Sequence, residues 1–475
     1  MLCARLDTPV NLQAVAARVQ QDAPYLVWLD SARPHPVTGR FSVLGWDPWL
    51  VFTPPRHAHP LKALRELLAR YPGPGDGRGL PPAGLGWLGL FGYELNRWIE
   101  RLPKPKPVEM ATPELMLLGM RALIVVDHVE GASWCVSVLD PHQPAGQARR
   151  EASARWEQIC ALVEDAARDQ GAPGDRAPVD SPSAVASNLS QAQFERMVLR
   201  AQAFIRAGEI FQANLAQQFS ASWPGSPWAL YARLRQVNPS PFACFVRTPD
   251  FSVVSCSPER LVRVQDGAAE ARPIAGTRPR GATPQEDAVN SLELILSEKE
   301  RAEHIMLVDL ARNDLGRVCR AGSVRVDELM TLEEYSHVIH IVSNVRGRLQ
   351  SGAGAVDVLR AVFPGGTITG CPKVRAMEII RSLEPCGRGL YTGSCGWIGF
   401  DGSLDLNILI RTMVLQDHRL SFHAGAGIVA DSQPDREYAE TLAKAGALLN
   451  ALVGSPVAAD TSSAAWTVPP RSRAR

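Results

Sequence analysis

Two pairs of glutamates have the spacing that a carboxylate metal site requires. Glu300 and Glu303 lie three positions apart in SEKERAEHIM, and Glu437 and Glu440 repeat that spacing in REYAETLAKA. Both segments have helical patterns, so the members of each pair share a helix face. Taken alone, each pair is also typical of a solvated helix surface. If the two faces met, four carboxylates would repel one another unless a cation neutralised them, and such an all-oxygen site suits Mg²⁺.

The elements that must position these residues follow from apolar periodicity. Helices are predicted over 147–168, 190–208, 285–310, 356–362, 373–383 and 434–452. Strands are predicted over 242–248, 251–256, 261–264, 396–400, 407–414 and 419–424. Strands grouped in hairpin-like clusters with helices between them indicate an α+β fold with largely antiparallel sheets.

The chain is predicted to consist of two regions. Residues 169–187 are rich in Gly, Pro, Ser and Ala without an apolar period, which predicts a linker. It separates an N-terminal region, 1–168, from a C-terminal region, 188–453. Residues 454–475 have the composition of a disordered tail.

Composition excludes several classes of partner. The 475 residues include 50 lysines and arginines against 49 aspartates and glutamates, so the formal net charge is +1. Such a balance gives no field that would attract nucleic acid or an anionic membrane. Nine scattered cysteines fit a reducing compartment, and neither a signal peptide nor a membrane-length apolar run is visible. We therefore expect a cytoplasmic protein that binds neither nucleic acid nor membrane.

Two glycine-rich segments imitate nucleotide-binding motifs. Gly84, Gly86 and Gly89 match GxGxxG, but a β-like aromatic run follows them where a helix is required, so we expect glycines that let a strand pack closely. The segment GGTITGCPK (365–373) lacks a lysine directly after its last glycine, which disfavours ATP. A glycine-rich turn that opens a helix can still bind an anion through backbone N–H groups.

Long stretches resemble one enzyme family. They follow the family's order almost without gaps: SPERL (257–261), RPIAGTRPRG (272–281), ERAEHIMLVDLARNDLGR (300–317), GGTITGCPKVRAMEII (365–380), IRT (410–412) and AGAGIVADSQPDREYAETLAK (424–444). From about residue 190 to 452 the chain is similar to the chorismate-utilising enzymes, with a weaker likeness in the first half. The resemblance implies an anthranilate synthase component I-like fold, with two face-packed, largely antiparallel β-sheets flanked by helices.

The resemblance also implies the members of the active site. Glu303 and Glu440 would bind Mg²⁺, with Glu300 and Glu437 close by or acting through water. Chorismate is a dianion, so one carboxylate could bind the metal while an arginine and a lysine hold the other. The implied substrate-binding residues are Gly276, Thr277, Thr367, Tyr391, Arg411, Gly425, Ala426, Gly427 and Lys444.

Glu259 aligns with the family's general acid. The C4 hydroxyl of chorismate leaves readily only when protonated, so the step requires a carboxylic acid with a raised pKa. His340 aligns with a site histidine that would steer the ring. A lone histidine in an apolar strand can equally be a satisfied core residue, and the sequence leaves both interpretations open.

The nucleophile is predicted from Gln212. In the family, relatives that use water as the nucleophile carry a lysine base at this position. The amide of glutamine cannot deprotonate water, so ammonia is the expected nucleophile. Isochorismate and salicylate synthesis are therefore disfavoured. Cys395 is the nearest imitation of an amidotransferase nucleophile, but we interpret it as core packing. Ammonia is therefore expected from a separate glutamine amidotransferase subunit, component II.

Two aminations remain open. Net replacement at C4 gives aminodeoxychorismate, the precursor of para-aminobenzoate and folate. Three stretches resemble component I of that branch: FQANLAQ, PGGTITGCPK and residues 391–412. We expect the chain to belong to this branch. WLDSA (28–32), which is not a full LLES-type tryptophan-inhibition motif, favours the same branch. Attack at C2 with pyruvate loss gives anthranilate, and RPIAGTRPRG and YSHVIHIVSNV resemble that alternative. Ala275 stands where many aminodeoxychorismate synthases have a lysine that adds to C2.

Overall fold

Antiparallel strands form most of the architecture. The computed structural model describes residues 1–55, 57–72, 80–81, 85–168, 184–334 and 338–453. The strands are β1 (Leu2–Leu6), β2 (Leu26–Asp30), β3 (Phe41–Phe52), β4 (Gly86–Phe91), β5 (Leu115–Asp127), β6 (Ala132–Ser137), β7 (Ala186–Ser187), β8 (Gln212–Ser222), β9 (Phe242–Arg247), β10 (Ser252–Ser257), β11 (Arg260–Gln265), β12 (Ala268–Ala271), β13 (Ile274–Pro279), β14 (Arg325–Glu334), β15 (Val338–Arg348), β16 (Gly370–Cys371), β17 (Ser394–Gly399), β18 (Leu404–Asn407), β19 (Thr412–Gln416) and β20 (Arg419–Ile428).

Helices fill the connections between these strands. They are α1 (Leu12–Asp22), α2 (Pro60–Arg70), α3 (Ala145–Arg168), α4 (Gln191–Arg206), α5 (Pro227–Val237), α6 (Pro284–Leu296), α7 (Glu298–Gly316), α8 (Ala355–Val362), α9 (Lys373–Leu383) and α10 (Pro434–Val453). Two short 3₁₀-helices span Tyr93–Trp98 and Gly366–Ile368.

Two sheets meet at β5. The first runs from β8, which pairs with β7 and β16, through β20, β19, β10, β9, β2, β3 and β5 to β6 and β1. The second runs from β15, which pairs with β13 and β14, through β12, β11, β18, β17 and β4 to β5. Because β2 pairs with β9 and β4 pairs with β17, the two predicted regions interleave within both sheets.

The sheets pack face to face through a shared core. Val27 and Val253 of the first sheet belong to the same buried cluster as Leu88 and Cys395 of the second. A second cluster joins the first sheet to α1, α3, α5 and α10, and a third joins the other sheet to α2, α7 and α8. The expected fold, two antiparallel sheets with helices outside, is confirmed, and so is the packing role of Cys395.

One predicted helix and one predicted strand are each interrupted in the structure, so both predictions of a continuous element are wrong. The helix predicted over 285–310 is divided at Ser297, whose non-helical backbone and side-chain oxygen cap the N-terminus of α7. The strand predicted over 407–414 stops at Asn407 and resumes at Thr412, because Arg411 has a left-handed φ of 51° that a strand cannot contain.

The predicted linker extends too far. Ala186–Ser187 pair with β8. Asn188 extends this contact: its backbone N–H donates to the carbonyl of Gln218, and its side-chain oxygen accepts the N–H of Gln218. Residues 169–183 of the linker and the tail 454–475 lie outside the described residues.

The glycines of β4 permit close packing, as predicted. A Cβ on Gly86 would lie 2.1 Å from the carbonyl oxygen of Ile398, and one on Gly89 would lie 2.1 Å from that of Met116. Gly84 lies outside the described residues. Among the described helices, none has the length and apolar composition needed to cross a bilayer.

Candidate active site

Glu259 lies buried in the corner between β10 and β11. Its backbone N–H donates to the hydroxyl of Ser257, and its carbonyl accepts from the N–H of Ile408 at 3.0 Å. The residue is only 6% exposed. Burial raises the pKa of the Glu259 carboxyl to about 7, against the opposing effects of Thr367, Lys444 and Arg411. Near neutral pH this carboxyl can hold and release a proton, as a general acid must.

Arg411 approaches Glu259 from the break between β18 and β19. Its carbonyl accepts the N–H of Cys256 at 3.1 Å, which holds the break against β10. The positive φ is uncommon for a residue with a side chain, and such strain costs about 1–3 kcal/mol and gathers at functional sites. Burial lowers the pKa of the guanidinium, and the Glu259 carboxyl acts against this. The strained turn thus sets a buried cation beside the candidate acid.

The glycine-rich end of β20 lines the same space. Gly425 pairs with Ala216 and Gly427 with Asn214 of β8. A Cβ on Gly425 would lie 2.8 Å from Asn214 Oδ1 and 3.0 Å from Tyr391 Oη. A Cβ on Gly427 would lie 2.5 Å from the Nε2 atom of Gln212. Glycine is therefore needed at both positions for polar side chains to approach the strand.

Several buried acceptors near these glycines lack hydrogen-bond donors. Within the described residues, Gln212 Oε1 and Asn214 Oδ1 make no hydrogen bond. Thr367 Oγ1 lowers the pKa of Glu259 but makes no hydrogen bond of regular geometry. An unsatisfied buried polar group costs about 1–3 kcal/mol. Such a concentration of unsatisfied groups is typical of a surface that a ligand completes.

Gly276 and Thr277 of β13 are held by His340. The Nδ1 atom of His340 lies 3.0 Å from the carbonyl oxygen of Gly276 and 3.1 Å from Thr277 Oγ1. Burial lowers the pKa of His340 to about 4, so the ring is neutral and Nδ1–H donates to the carbonyl. The structure supports the interpretation of His340 as a hydrogen-bonded core residue of β15. Its steering of a substrate ring stays a prediction. Ala275, next to Gly276, places only a methyl group there.

The two glutamate pairs of α7 and α10 influence one another through their charges. Burial raises the pKa of Glu303; Lys299 opposes this, and the charges of Glu300, Glu437 and Glu440 raise it further. A Cβ on Gly276, which has a φ of +64°, would lie 2.9 Å from Glu300 Oε2, so Glu300 borders the segment held by His340. These four glutamates are called the carboxylate cluster below.

Three of these carboxylates have cationic partners. Arg278 Nη1 lies 3.2 Å from Glu300, Lys299 Nζ lies 3.9 Å from Glu303, and Lys444 Nζ lies 2.7 Å from Glu440. The fourth, Glu437, is buried, and its Oε2 has no hydrogen-bond partner among the described residues. In the described part of the chain no three His, Cys, Asp or Glu side chains stand close enough to enclose a metal. The carboxylate oxygens, among them the unpartnered Oε2 of Glu437, fit Mg²⁺ in their chemistry, but binding would require the side chains to turn from their present partners, which for Glu437 include Ser432.

Lys444 joins the carboxylate cluster to the rest of the site. Besides its ion pair with Glu440, it donates to the carbonyl of Gly425 at 3.2 Å. It also lowers the pKa of Glu259. Lys444 thus interacts with the candidate acid Glu259, with Gly425 of β20 and with Glu440 of the carboxylate cluster.

Sequence reasoning did not identify three buried polar residues behind this surface. They are Glu384, Arg388 and His423, whose ring stacks on Tyr391 with centroids 5.0 Å apart. Burial lowers the pKa of His423 to about 3, so it is neutral. The only signal in the sequence was the position of Arg388 three residues before Tyr391, one of the expected site residues.

Replacing Gly425 by alanine should destabilise the protein by about 1–3 kcal/mol, as overpacking does. The added Cβ would lie 2.8 Å from the carbonyl oxygen of Leu215, which the sheet holds in place. Gly446→Ala on α10 is the matched control, because its Cβ meets nothing within 4 Å. Urea denaturation should separate the two variants, and equal stabilities would refute the close approach at Gly425.

Known proteins resemble the chain over most of its length. Residues 47–450 match the family of chorismate binding enzymes. Anthranilate synthase component 1 of Cereibacter sphaeroides is 40% identical over 95% of this chain and 93% of that protein. Aminodeoxychorismate synthase component 1 of Bacillus subtilis is 40% identical over 92% of this chain and 93% of that protein. The crystal structure of anthranilate synthase component I from Streptococcus pneumoniae TIGR4 has a TM-score of 0.76 and 32% identity, over 87% of this chain and 93% of that one.

The family match covers the part of the chain that contains the candidate site. Glu259, Arg411 and the four glutamates all fall within the matched range 47–450. Relatives of the two named types are equally identical, at 40%, so identity does not separate them. The chain belongs to the chorismate binding enzyme family, as a chorismate-utilising enzyme of the anthranilate and aminodeoxychorismate synthase component I type.

Proposed function

We propose that the protein aminates chorismate at C4 to give 4-amino-4-deoxychorismate, as component I of an aminodeoxychorismate synthase. The observation that carries an amination is the buried Glu259, with a pKa of about 7, beside the cations Arg411 and Lys444. The acid can protonate a leaving hydroxyl while the cations hold the carboxylates of a dianion.

The reaction balances with ammonia as the second substrate. The C4–O bond breaks, the hydroxyl takes a proton from Glu259 and leaves as water, and a C–N bond forms. The added nitrogen then loses a proton, which returns Glu259 to its acid form. The backbone N–H groups of Gly425–Gly427 and of Gly276-Thr277, with Tyr391 and Thr367, would orient the substrate against the acid.

Ammonia rather than water is the proposed nucleophile. Gln212 lies beside Gly427 and is an amide, which cannot remove a proton from water. Ammonia needs no such base, because its free form is already nucleophilic. Relatives are named component 1, which supports a separate subunit, and we propose a glutamine amidotransferase in that role.

Mg²⁺ is the proposed cofactor. Glu303 and Glu440 would hold it, with Glu300 and Glu437 close by or acting through water. When bound, the ion would neutralise the cluster and supply positive charge to one substrate carboxylate. Glu437 Oε2, buried without a partner, is the observation that supports this proposal.

Anthranilate synthesis is the second candidate. It is favoured by Ala275, which offers no amine for covalent addition to C2. Attack of ammonia at C2 would expel the same C4 hydroxyl, and elimination of pyruvate would then give anthranilate. Both candidates use Glu259 in the same way.

Pyruvate release distinguishes the two candidates. With chorismate, Mg²⁺ and ammonium but no added lyase, the proposed reaction consumes chorismate without forming pyruvate. A coupled lactate dehydrogenase assay measures this directly. One pyruvate for each chorismate consumed would assign the chain to anthranilate synthesis.

The nitrogen source provides another prediction. The isolated chain should use ammonium salts and should not use glutamine. At fixed total ammonium its rate should rise with pH as more NH₃ becomes free, and level off near pH 7, where Glu259 begins to lose its proton. Rates with each nitrogen source, measured on the pure chain, check this. Glutamine-dependent turnover by the single chain would contradict the need for a partner subunit.

A further inference from the structure

Arg388 is buried and makes the full set of hydrogen bonds that a guanidinium allows. It is 3% exposed. Nε and Nη2 donate to the two carboxylate oxygens of Glu384 at 2.9 and 2.6 Å. Nη1 donates to the carbonyl of Ile368 at 3.0 Å and to the hydroxyl of Thr392 at 3.2 Å, and Nη2 donates to the carbonyl of Asn214 at 2.7 Å. Lysine could not satisfy these acceptors, because an ammonium has three donors on one atom.

The acceptors of Arg388 share one property: each adjoins or belongs to the candidate active site. Ile368 follows Thr367, whose side chain influences Glu259. Thr392 follows Tyr391, and Asn214 carries an unsatisfied oxygen over Gly425. One buried guanidinium therefore connects three separate segments at the site.

Glu384 extends this connection into β8. Its Oε1 also accepts the N–H of Ala216 at 2.9 Å, and Ala216 lies opposite Gly425 in the sheet. Glu384 follows the last residue of α9, so the ion pair links that helix to the strand. Removing either partner would leave the other charge buried and unpaired.

The N-terminal region supports the pair from its other side. The ring of Tyr93 lies 4.8 Å from the guanidinium carbon of Arg388, and Glu94 Oε1 accepts the backbone N–H of Arg388 at 2.9 Å. Both residues belong to the 3₁₀-helix Tyr93–Trp98. The ring of Tyr391 lies 5.5 Å from the same guanidinium.

We infer that Arg388, held by Glu384, is a positioning residue that sets Asn214, Thr367 and Tyr391 in place to bind the substrate. A buried ion pair is seldom more stabilising than apolar residues of equal volume. The arrangement of its acceptors, all at the site, indicates a role in geometry. The inference rests on the proposed function in taking chorismate as the ligand, but it does not depend on where nitrogen is added.

Arg388→Lys tests this inference with chorismate as the probe. We expect kcat/KM for chorismate to fall by roughly 10²-fold, the effect of a displacement of about 1 Å at a site, with a raised KM. Calorimetry with chorismate alone, without ammonium, should show a correspondingly weaker Kd. Arg40→Lys is the control, because Arg40, which directly precedes β3, likewise donates to both carboxylate oxygens of the buried Asp127 at the end of β5. It should lower the melting temperature and leave KM and Kd for chorismate unchanged.

Each outcome decides between positioning and simple stabilisation. If Arg388→Lys lowers only the melting temperature, with wild-type KM, kcat and Kd, the inference is overturned. If that variant does not fold, Glu384→Gln takes its place, since it keeps the side-chain volume and one oxygen acceptor, and the same criteria apply. A wild-type chain that binds chorismate but never aminates it would refute the proposed function, while the Kd values would still test the role of Arg388.

Discussion

Glu259→Gln should lower kcat by about 10²–10⁴-fold, the usual contribution of general acid catalysis. Glutamine keeps the shape of the side chain but cannot deliver a proton to the C4 hydroxyl. The corner between β10 and β11 is held by backbone atoms of Glu259, so the fold should survive. Steady-state rates with chorismate and saturating ammonium measure the loss, and circular dichroism confirms the fold.

The pH profile gives this prediction its control. Burial raises the folded-state pKa of Glu259 to about 7, so the acid form is present below that pH and is lost above it. At a fixed concentration of free NH₃, the wild-type rate should fall about tenfold for each pH unit above this value. The residual rate of Glu259→Gln should lack that alkaline decrease. An unchanged kcat, or the same decrease in the variant, would show that another group supplies the proton.

Glu303→Gln should abolish Mg²⁺-dependent turnover while the metal-free protein melts no lower than the wild type. Burial raises the pKa of Glu303, and the charges of Glu300, Glu437 and Glu440 raise it further against the opposing effect of Lys299. A neutral amide therefore removes the cost of burying a charge and relieves this repulsion when no cation is present. Mg²⁺ that binds only the folded state should raise the wild-type melting temperature, and this increase should vanish in the variant. Glu440→Gln should lose turnover in the same way.

Glu298→Gln is the matched control for the metal site. It lies on the same helix, α7, and is exposed. It should keep both turnover and the Mg²⁺-induced rise in melting temperature. Full activity of Glu303→Gln and Glu440→Gln at limiting Mg²⁺ would remove these residues as metal ligands.

The sequence predicted what periodicity and local composition determine. The helix over 373–383 has the predicted bounds, and both glutamate pairs lie on helices, as their spacing predicted. Long apolar periods and helix-face spacing are local properties, so they can be identified without the fold. The joining of the two regions through the pairings of β2 with β9 and of β4 with β17 could not be predicted in this way, because strand pairing depends on residues far apart in sequence.

The conformation of Arg411 and the hydrogen bonds of Arg388 could not be predicted from the sequence. The strand predicted over 407–414 has suitable residues throughout, yet contacts with Cys256 and Glu259 hold Arg411 in a left-handed turn. Arg388 is an ordinary charged residue in the sequence, and only the fold surrounds it with acceptors from three segments. Tertiary contacts override local preference at both positions.

The position of the added nitrogen decides whether this site aminates chorismate at C4 with free ammonia, as proposed. It can be read from the product of the pure chain with chorismate, Mg²⁺ and ¹⁵N-ammonium, by mass spectrometry and NMR. We expect a product that keeps the enolpyruvyl group and carries one ¹⁵N at C4. Labelled anthranilate with free pyruvate would contradict amination at C4, and a product without ¹⁵N would contradict amination altogether.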